Sequence, residues 1–309
     1  MAAKGWKGFK RSVRASVIVA GARLLMRLPY AVAVRVGGAL GRAAWWVSPG
    51  LRRDMRASLA VAFPEKSATE RDAIGRAAMR HLGWVTGEII SMHQWKDRMD
   101  ERIQATPEAV ATVQRAWDRK KGIIFVLGHI GNWELTNRLS RYVQPNAAIA
   151  KRSWHEKIDR VMEDFRAAHG VGTYWRDDAA TGRKMLKLFK QGGALGILID
   201  QDIPSVQSVF VPFFGRLAAT PRAAADFALR FGAALLVVTC HRRGPRPEDG
   251  HALEVVEVPH DPAPADPEAE VLRLTAACAR VQEDAIRRHP EEWVWMHQRW
   301  RSRPPGEQG

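Results

Sequence analysis

A histidine and a glutamate stand five residues apart, His129 and Glu134, in the stretch Gly128-His129-Ile130-Gly131-Asn132-Trp133-Glu134. An imidazole near neutral pH can take a proton from a weak nucleophile. A nearby carboxylate can hold its ring in one tautomer and stabilise the imidazolium. The spacing thus offers a general base, His129, and an orienting acid, Glu134, in one short turn. Gly131 lets backbone approach a ligand closely. Its N–H and the Asn132 side chain are candidate donors to a developing oxyanion. The bland reading of such a pair is a hydrogen-bonded surface contact, so the surrounding elements decide.

Those elements favour chemistry. The apolar run 123–127 ends at Gly128 and predicts a fully buried strand, and strand ends are where α/β proteins place their sites. A second apolar run, 194–199, leads into Asp200-Gln201-Asp202. If the two strands are parallel, these acids reach the same sheet edge as His129; a plain turn is the alternative. Strands are also predicted at 146–150, 235–241 and 252–258. Helices are predicted at 107–120, 134–142, 156–168, 181–191 and 268–289, with one starting at Thr220-Pro221 as cap and first position. Ser67-Ala-Thr-Glu70 has the capping-box pattern. Strands alternating with helices predict an α/β fold.

Four blocks in order resemble the bacterial lipid A biosynthesis acyltransferases, the late acyltransferases of lipopolysaccharide assembly. They are the His129-x4-Glu134 motif, 57–67 with Phe63-Pro64-Glu65, 199–220 with Asp200-Gln201-Asp202 and Pro212-Phe-Phe-Gly215, and 290–304 around Trp295 and Arg299. The resemblance covers nearly the whole chain. Ile130 stands where Phe is frequent, and Ala150-Lys151-Arg152 replaces a commoner Tyr-Arg-Pro type sequence. The resemblance implies a central, mostly parallel sheet flanked by helices, as in glycerolipid acyltransferases. It also implies transfer of a fatty acyl group from an acyl-thioester to a hydroxyl of a lipid A precursor. Arg166, a further candidate partner for the oxyanion, follows His129 at a spacing similar to an arginine of that family; a surface pair with Glu163 or Asp159 is its alternative. Asp200, Gln201 and Asp202 are suited to ordering the acceptor. Lys151 and Arg152, and Arg299, Arg301 and Arg303, are candidates for its phosphates. Phe210, Phe213 and Phe214 line either an acyl groove or simply core.

No Gly-x-Ser-x-Gly elbow is present, and neither Cys240 nor Cys278 ends a strand. Direct attack on the thioester is therefore expected rather than an acyl-enzyme. The cysteines match no metal or redox spacing and suggest a reducing compartment. No metal site is legible, and no cofactor is expected, because the thioester of a carrier protein or CoA already carries the activation.

Charge adds a second constraint. The 309 residues carry a net +15, and residues 1–56 hold twelve Lys/Arg against Asp54 alone. The longest charge-free run there, 43–51, is nine residues, whereas a spanning helix needs about 20. Arg23, Arg27 and Arg35 also interrupt any signal-peptide core. Basic residues interleaved with Val, Leu and Trp fit a helical region lying on an anionic membrane. A core helix with a basic face and a nucleic-acid site are the alternatives; no nucleic-acid motif is present. The expected organisation is a membrane-associating region, 1–56, and a catalytic domain, 57–309. The expected partners are an anionic membrane surface, an acidic acyl carrier protein steered by basic charge and a phosphorylated glycolipid, at the cytoplasmic face of the inner membrane. The same dyad would serve another glycolipid acceptor, such as a phosphatidylinositol mannoside or an aminolipid, or persist in a non-catalytic relative.

Overall fold

The computed structural model describes residues 13, 16, 19–94, 99–153, 155–304 and 306. Much of the basic N-terminal stretch, and Trp95 where the helix begun at Ser67 was expected to end, lie outside these.

The main sheet has seven strands: β1 (Ile103–Ala105), β2 (Ile123–Leu127), β3 (Asn146–Ala150), β4 (Gly172–Trp175), β5 (Ala194–Leu198), β8 (Ala234–Arg242) and β9 (His251–Glu257). A separate hairpin pairs β6 (Ser208–Phe213) with β7 (Arg216–Pro221). The sheet order is β1-β9-β8-β2-β5-β3-β4. All neighbours run parallel except β8 and β9. This is the expected α/β architecture, with one antiparallel pair near an edge.

Alternation along β2 explains how the sheet is covered. Ile123, Phe125 and Leu127 pack on one face, with Val113 and Ala116 of α4 (Pro107–Asp118) and with Leu135 and Leu139. Ile124 and Val126 pack on the other, against α6 (Thr181–Lys190), α7 (Ala223–Phe231) and α8 (Pro267–Arg288). Successive strand side chains face opposite ways, so a strand buried on both faces must be apolar throughout. Every residue of β2 is buried.

A third core lies at the N-terminal side. It joins α1 (Tyr30–Val47), α2 (Pro49–Ala62) and α3 (Ala68–Ser91) to the β6–β7 hairpin and to Trp293, Trp295 and Trp300. The capping box forms as read: Ser67 accepts from the Glu70 N–H and Glu70 bonds back to the Ser67 N–H. α1 and α3 touch backbone to backbone. A Cβ on Gly37 would lie 2.2 Å from the Gly83 carbonyl oxygen, and one on Gly41 2.1 Å from that of Met79. α2 runs through position 56 unbroken. Among the described residues, no helix is long and apolar enough to cross a membrane.

The structure departs from the sequence reading in three places. Thr220 and Pro221 end β7 rather than start a helix; the helix begins at Ala223, with Arg222 in the cap position. The expected helix after Glu134 is a 3₁₀ helix, Trp133–Tyr142. The short strands β1 and β4 and the β6–β7 hairpin were not expected.

Candidate functional site

β2 and β5 pair in parallel with Leu127 opposite Leu198. Two residues beyond each lie His129 and Asp200, so the register itself delivers them to one point. Asp200 Oδ1 is 2.9 Å from His129 Nδ1, and Asp200 Oδ2 accepts the His129 backbone N–H at 2.7 Å and the Trp293 indole N–H at 2.9 Å. Asp200 is buried. Burial alone would raise its carboxyl, but the His129 charge and these hydrogen bonds hold it at about 2. An ionised Asp200 accepts, so a hydrogen lies on His129 Nδ1, and Nε2 is the ring nitrogen turned from the carboxylate. The His129 side chain keeps 22% of its surface exposed.

Gln201 stands beside the ring. Its amide nitrogen is 3.1 Å from His129 Nδ1, 3.3 Å from His129 Nε2 and 2.7 Å from His297 Nε2. Burial, and then the neighbouring His129, push His297 below the ordinary imidazole value. The Gln201 amide meets His297 at Nε2. The Trp133 ring meets His129 edge-on at 4.9 Å.

Glu134 does not hold His129. Its carboxylate is buried and pairs with Arg166, with Oε1 2.7 Å from Nη2 and Oε2 3.3 Å from Nε; Asn137 adds a weaker bond. The 3₁₀ helix that starts at Trp133 turns the side chain away from the ring. Among the described residues, the carboxylate bonded to His129 is Asp200. Arg166 is accordingly no surface partner of Glu163 or Asp159: Glu163 accepts from Trp175 and Asp159 from the Ser153 N–H.

The remaining candidates divide. Asn132 is fully buried and its amide donates to Glu88, while the Gly131 N–H donates to the Glu292 carbonyl. Neither is free to hold an oxyanion. Asp202 bonds the Ser302 N–H and hydroxyl and so anchors the C-terminal segment. Lys151 and Arg152 lie exposed after β3, with Arg152 over the Trp175 ring and near Asp177. Arg299 is buried against Phe213 and bonds Ala219 and Thr220, so it is not available to a phosphate. Phe213 and Phe214 are core. His289, Glu291 and Glu292 bring one ligand atom each within 4.8 Å of one another. Both Glu292 oxygens already accept the Arg242 N–H, which commits that carboxylate to the fold.

The sequence reading passed over His297 and Trp293, although both lie in the closing block 290–304 that it singled out. It also passed over Glu88, which carried no local signal.

Residues 7–302 match the family model described as bacterial lipid A biosynthesis acyltransferase. The chain belongs to this acyltransferase family. The acyltransferase is 28% identical over 285 residues to the lipid A biosynthesis lauroyltransferase of Escherichia coli K12, covering 92% of this chain and 90% of the relative. It is 27% identical over 288 residues to the lipid A biosynthesis palmitoleoyltransferase of the same strain, with the same coverage. A lipid A biosynthesis acyltransferase of Shigella flexneri is equally similar, at 27%. The two Escherichia coli relatives differ in the acyl chain their names carry while being almost equally close to the acyltransferase.

Proposed function

We propose that this acyltransferase moves a fatty acyl chain from the thioester of an acidic acyl carrier protein to a hydroxyl of a lipid A precursor, at the cytoplasmic face of the inner membrane. The observation that carries the mechanism is the 2.9 Å contact between His129 Nδ1 and Asp200 Oδ1 at the shared strand edge. The acceptor hydroxyl gives its proton to His129 Nε2 as its oxygen attacks the thioester carbonyl. Asp200 stabilises the imidazolium so formed. The tetrahedral intermediate collapses by breaking the carbon–sulfur bond, and the leaving thiolate takes the proton back from His129. The Gln201 amide, beside both imidazoles, is the proposed donor for the intermediate's oxygen. Glu134 and Arg166 tie the segment after His129 to α5 (Glu156–Ala168).

The membrane reading rests on α1. Its inner face is the glycine seam; its outer face exposes Val32, Leu40, Trp46 and Val47 beside Arg35 and Arg42. Trp46 is 67% exposed. Apolar and cationic side chains together on one exposed helix face suit the interface of an anionic bilayer. Lys151 and Arg152 remain proposed contacts for the acceptor's phosphates.

The test of the function is incubation of the full chain with a lipid A precursor and acyl carrier proteins of several chain lengths, followed by mass spectrometry, beside a His129→Ala control. One added acyl mass that the control lacks supports the reading. Addition only to a different glycolipid, or only from CoA, corrects the acceptor or donor. No transfer to any acceptor overturns it.

A further inference from the structure

The His129 loop is held from beneath by a second buried carboxylate, and that carboxylate takes no part in the mechanism above. Glu88 lies on α3, is fully buried, and spends its two oxygens unequally. Oε1 accepts from Arg242 Nη2 at 2.8 Å, from His251 Nε2 at 3.1 Å and from the Tyr30 hydroxyl at 3.3 Å. Oε2 accepts from the Asn132 amide at 2.9 Å. Burial would raise this carboxyl, but the charges of His251 and Arg242 and the hydrogen bonds from His251 and Asn132 hold it well below the usual carboxylate range.

Asn132 lies midway between His129 and Glu134. Its Oδ1 has no partner among the described residues, so the orientation of its amide is set by Glu88. The adjoining Gly131, at φ +59°, is pressed on β8: a Cβ there would fall 1.6 Å from the Cys240 carbonyl oxygen. The loop thus has little room to move, and Glu88 fixes the buried side chain next to Gly131.

We infer that Glu88 is a positioning residue for the acyl transfer, holding the His129 loop through Asn132. It is fully buried, so it should act on kcat and leave KM alone. A shift of about 1 Å in a reacting group can cost about 10²-fold in rate. The inference rests on His129 being the base, and the experiment separates the two.

The unequal use of the oxygens makes an exchange of groups diagnostic. Asn132→Asp sets carboxylate against carboxylate and should lower kcat by about 10- to 100-fold with KM unchanged. Adding Glu88→Gln should restore it to within about threefold, since coupled sites are non-additive. In that pair the glutamine oxygen keeps the three donors on the Oε1 side while its NH₂ donates to the carboxylate introduced at position 132. Asn132→Ala, which adds no charge, should lower kcat and keep KM, with folding checked by circular dichroism. A wild-type kcat in Asn132→Ala, or a double variant no better than Asn132→Asp alone, overturns the inference. Should Asn132→Asp not fold, Asn132→Ala decides. His129→Ala is assayed beside them: activity surviving there overturns His129 as base, whereas an inactive His129→Ala with an undiminished Asn132→Ala overturns the positioning role alone.

Discussion

Two buried carboxylates bracket the His129 loop and are used in opposite ways. Asp200, at the strand edge, gives one oxygen to the ring and the other to the same residue's backbone and to Trp293. Its network ends at an imidazole that stays partly exposed. Glu88, below the loop, is saturated by four donors, none of which belongs to the ring. The chemistry of the two groups is the same. In the proposed mechanism, what separates the proton-transfer site from a fixed mount is whether one partner remains open to a ligand.

The largest effect should come from the open network. His129→Ala is expected to cost about 10²- to 10⁴-fold in kcat, the range of general-base catalysis. Asp200→Asn should fall in the same range, about 10²-fold or more, because the amide cannot stabilise the imidazolium. Steady-state kinetics with the native thioester reads both. Full activity in Asp200→Asn would return the orienting role to another group.

Glu134→Gln tests the third carboxylate and should differ in kind. It leaves the Arg166 guanidinium buried without its charge partner, and breaking a buried pair costs about 3–5 kcal/mol. The expected result is a lowered thermal midpoint with a smaller loss of kcat than in Asp200→Asn. An unchanged midpoint with a loss as large as that of Asp200→Asn would place Glu134 in the chemistry after all.

The smallest effect concerns Glu292, which borders the closed network. Burial pushes its carboxyl up to about 7 despite the Arg242 N–H. A carboxyl raised in the folded state binds its proton more tightly there than when unfolded. Stability is therefore lost as pH rises from the ordinary carboxylate value through about 7. Glu292→Gln should raise the midpoint at pH 8 by about 2–4 °C, the shift expected for about 1 kcal/mol. The gain should vanish near pH 4, as calorimetry across pH would show.

Most of the fold was legible because its signals are local. The run 123–127 could be nothing but buried, and Ser67 with Glu70 marked a helix start in four letters. Thr220-Pro221 misled because a cap followed by proline and a strand closed by proline read alike until the antiparallel partner is known. The site was half legible. Asp200 was picked out by its place after a buried strand, but the orienting role went to Glu134, which is nearer in sequence. Sequence distance is a poor guide there: the 3₁₀ turn carries Glu134 off toward Arg166, while strand register brings Asp200 across. Glu88 was invisible, since a glutamate on a long helix reads as a solvated face until Asn132, Arg242 and His251 are seen around it.

The glycine seam between α1 and α3 has a mechanical consequence. With carbonyls in place of side chains at the crossing, the two helices have no compressible layer between them. Tyr30, at the head of α1, and Asn132, in the His129 loop, meet the same carboxylate on α3. In the proposed membrane arrangement, the reach from the lipid-facing helix to His129 Nε2 is thus a fixed length. An acceptor hydroxyl must rise to that height to react, so the enzyme would measure out which position on its lipid is acylated as a gauge does, by stand-off from the bilayer.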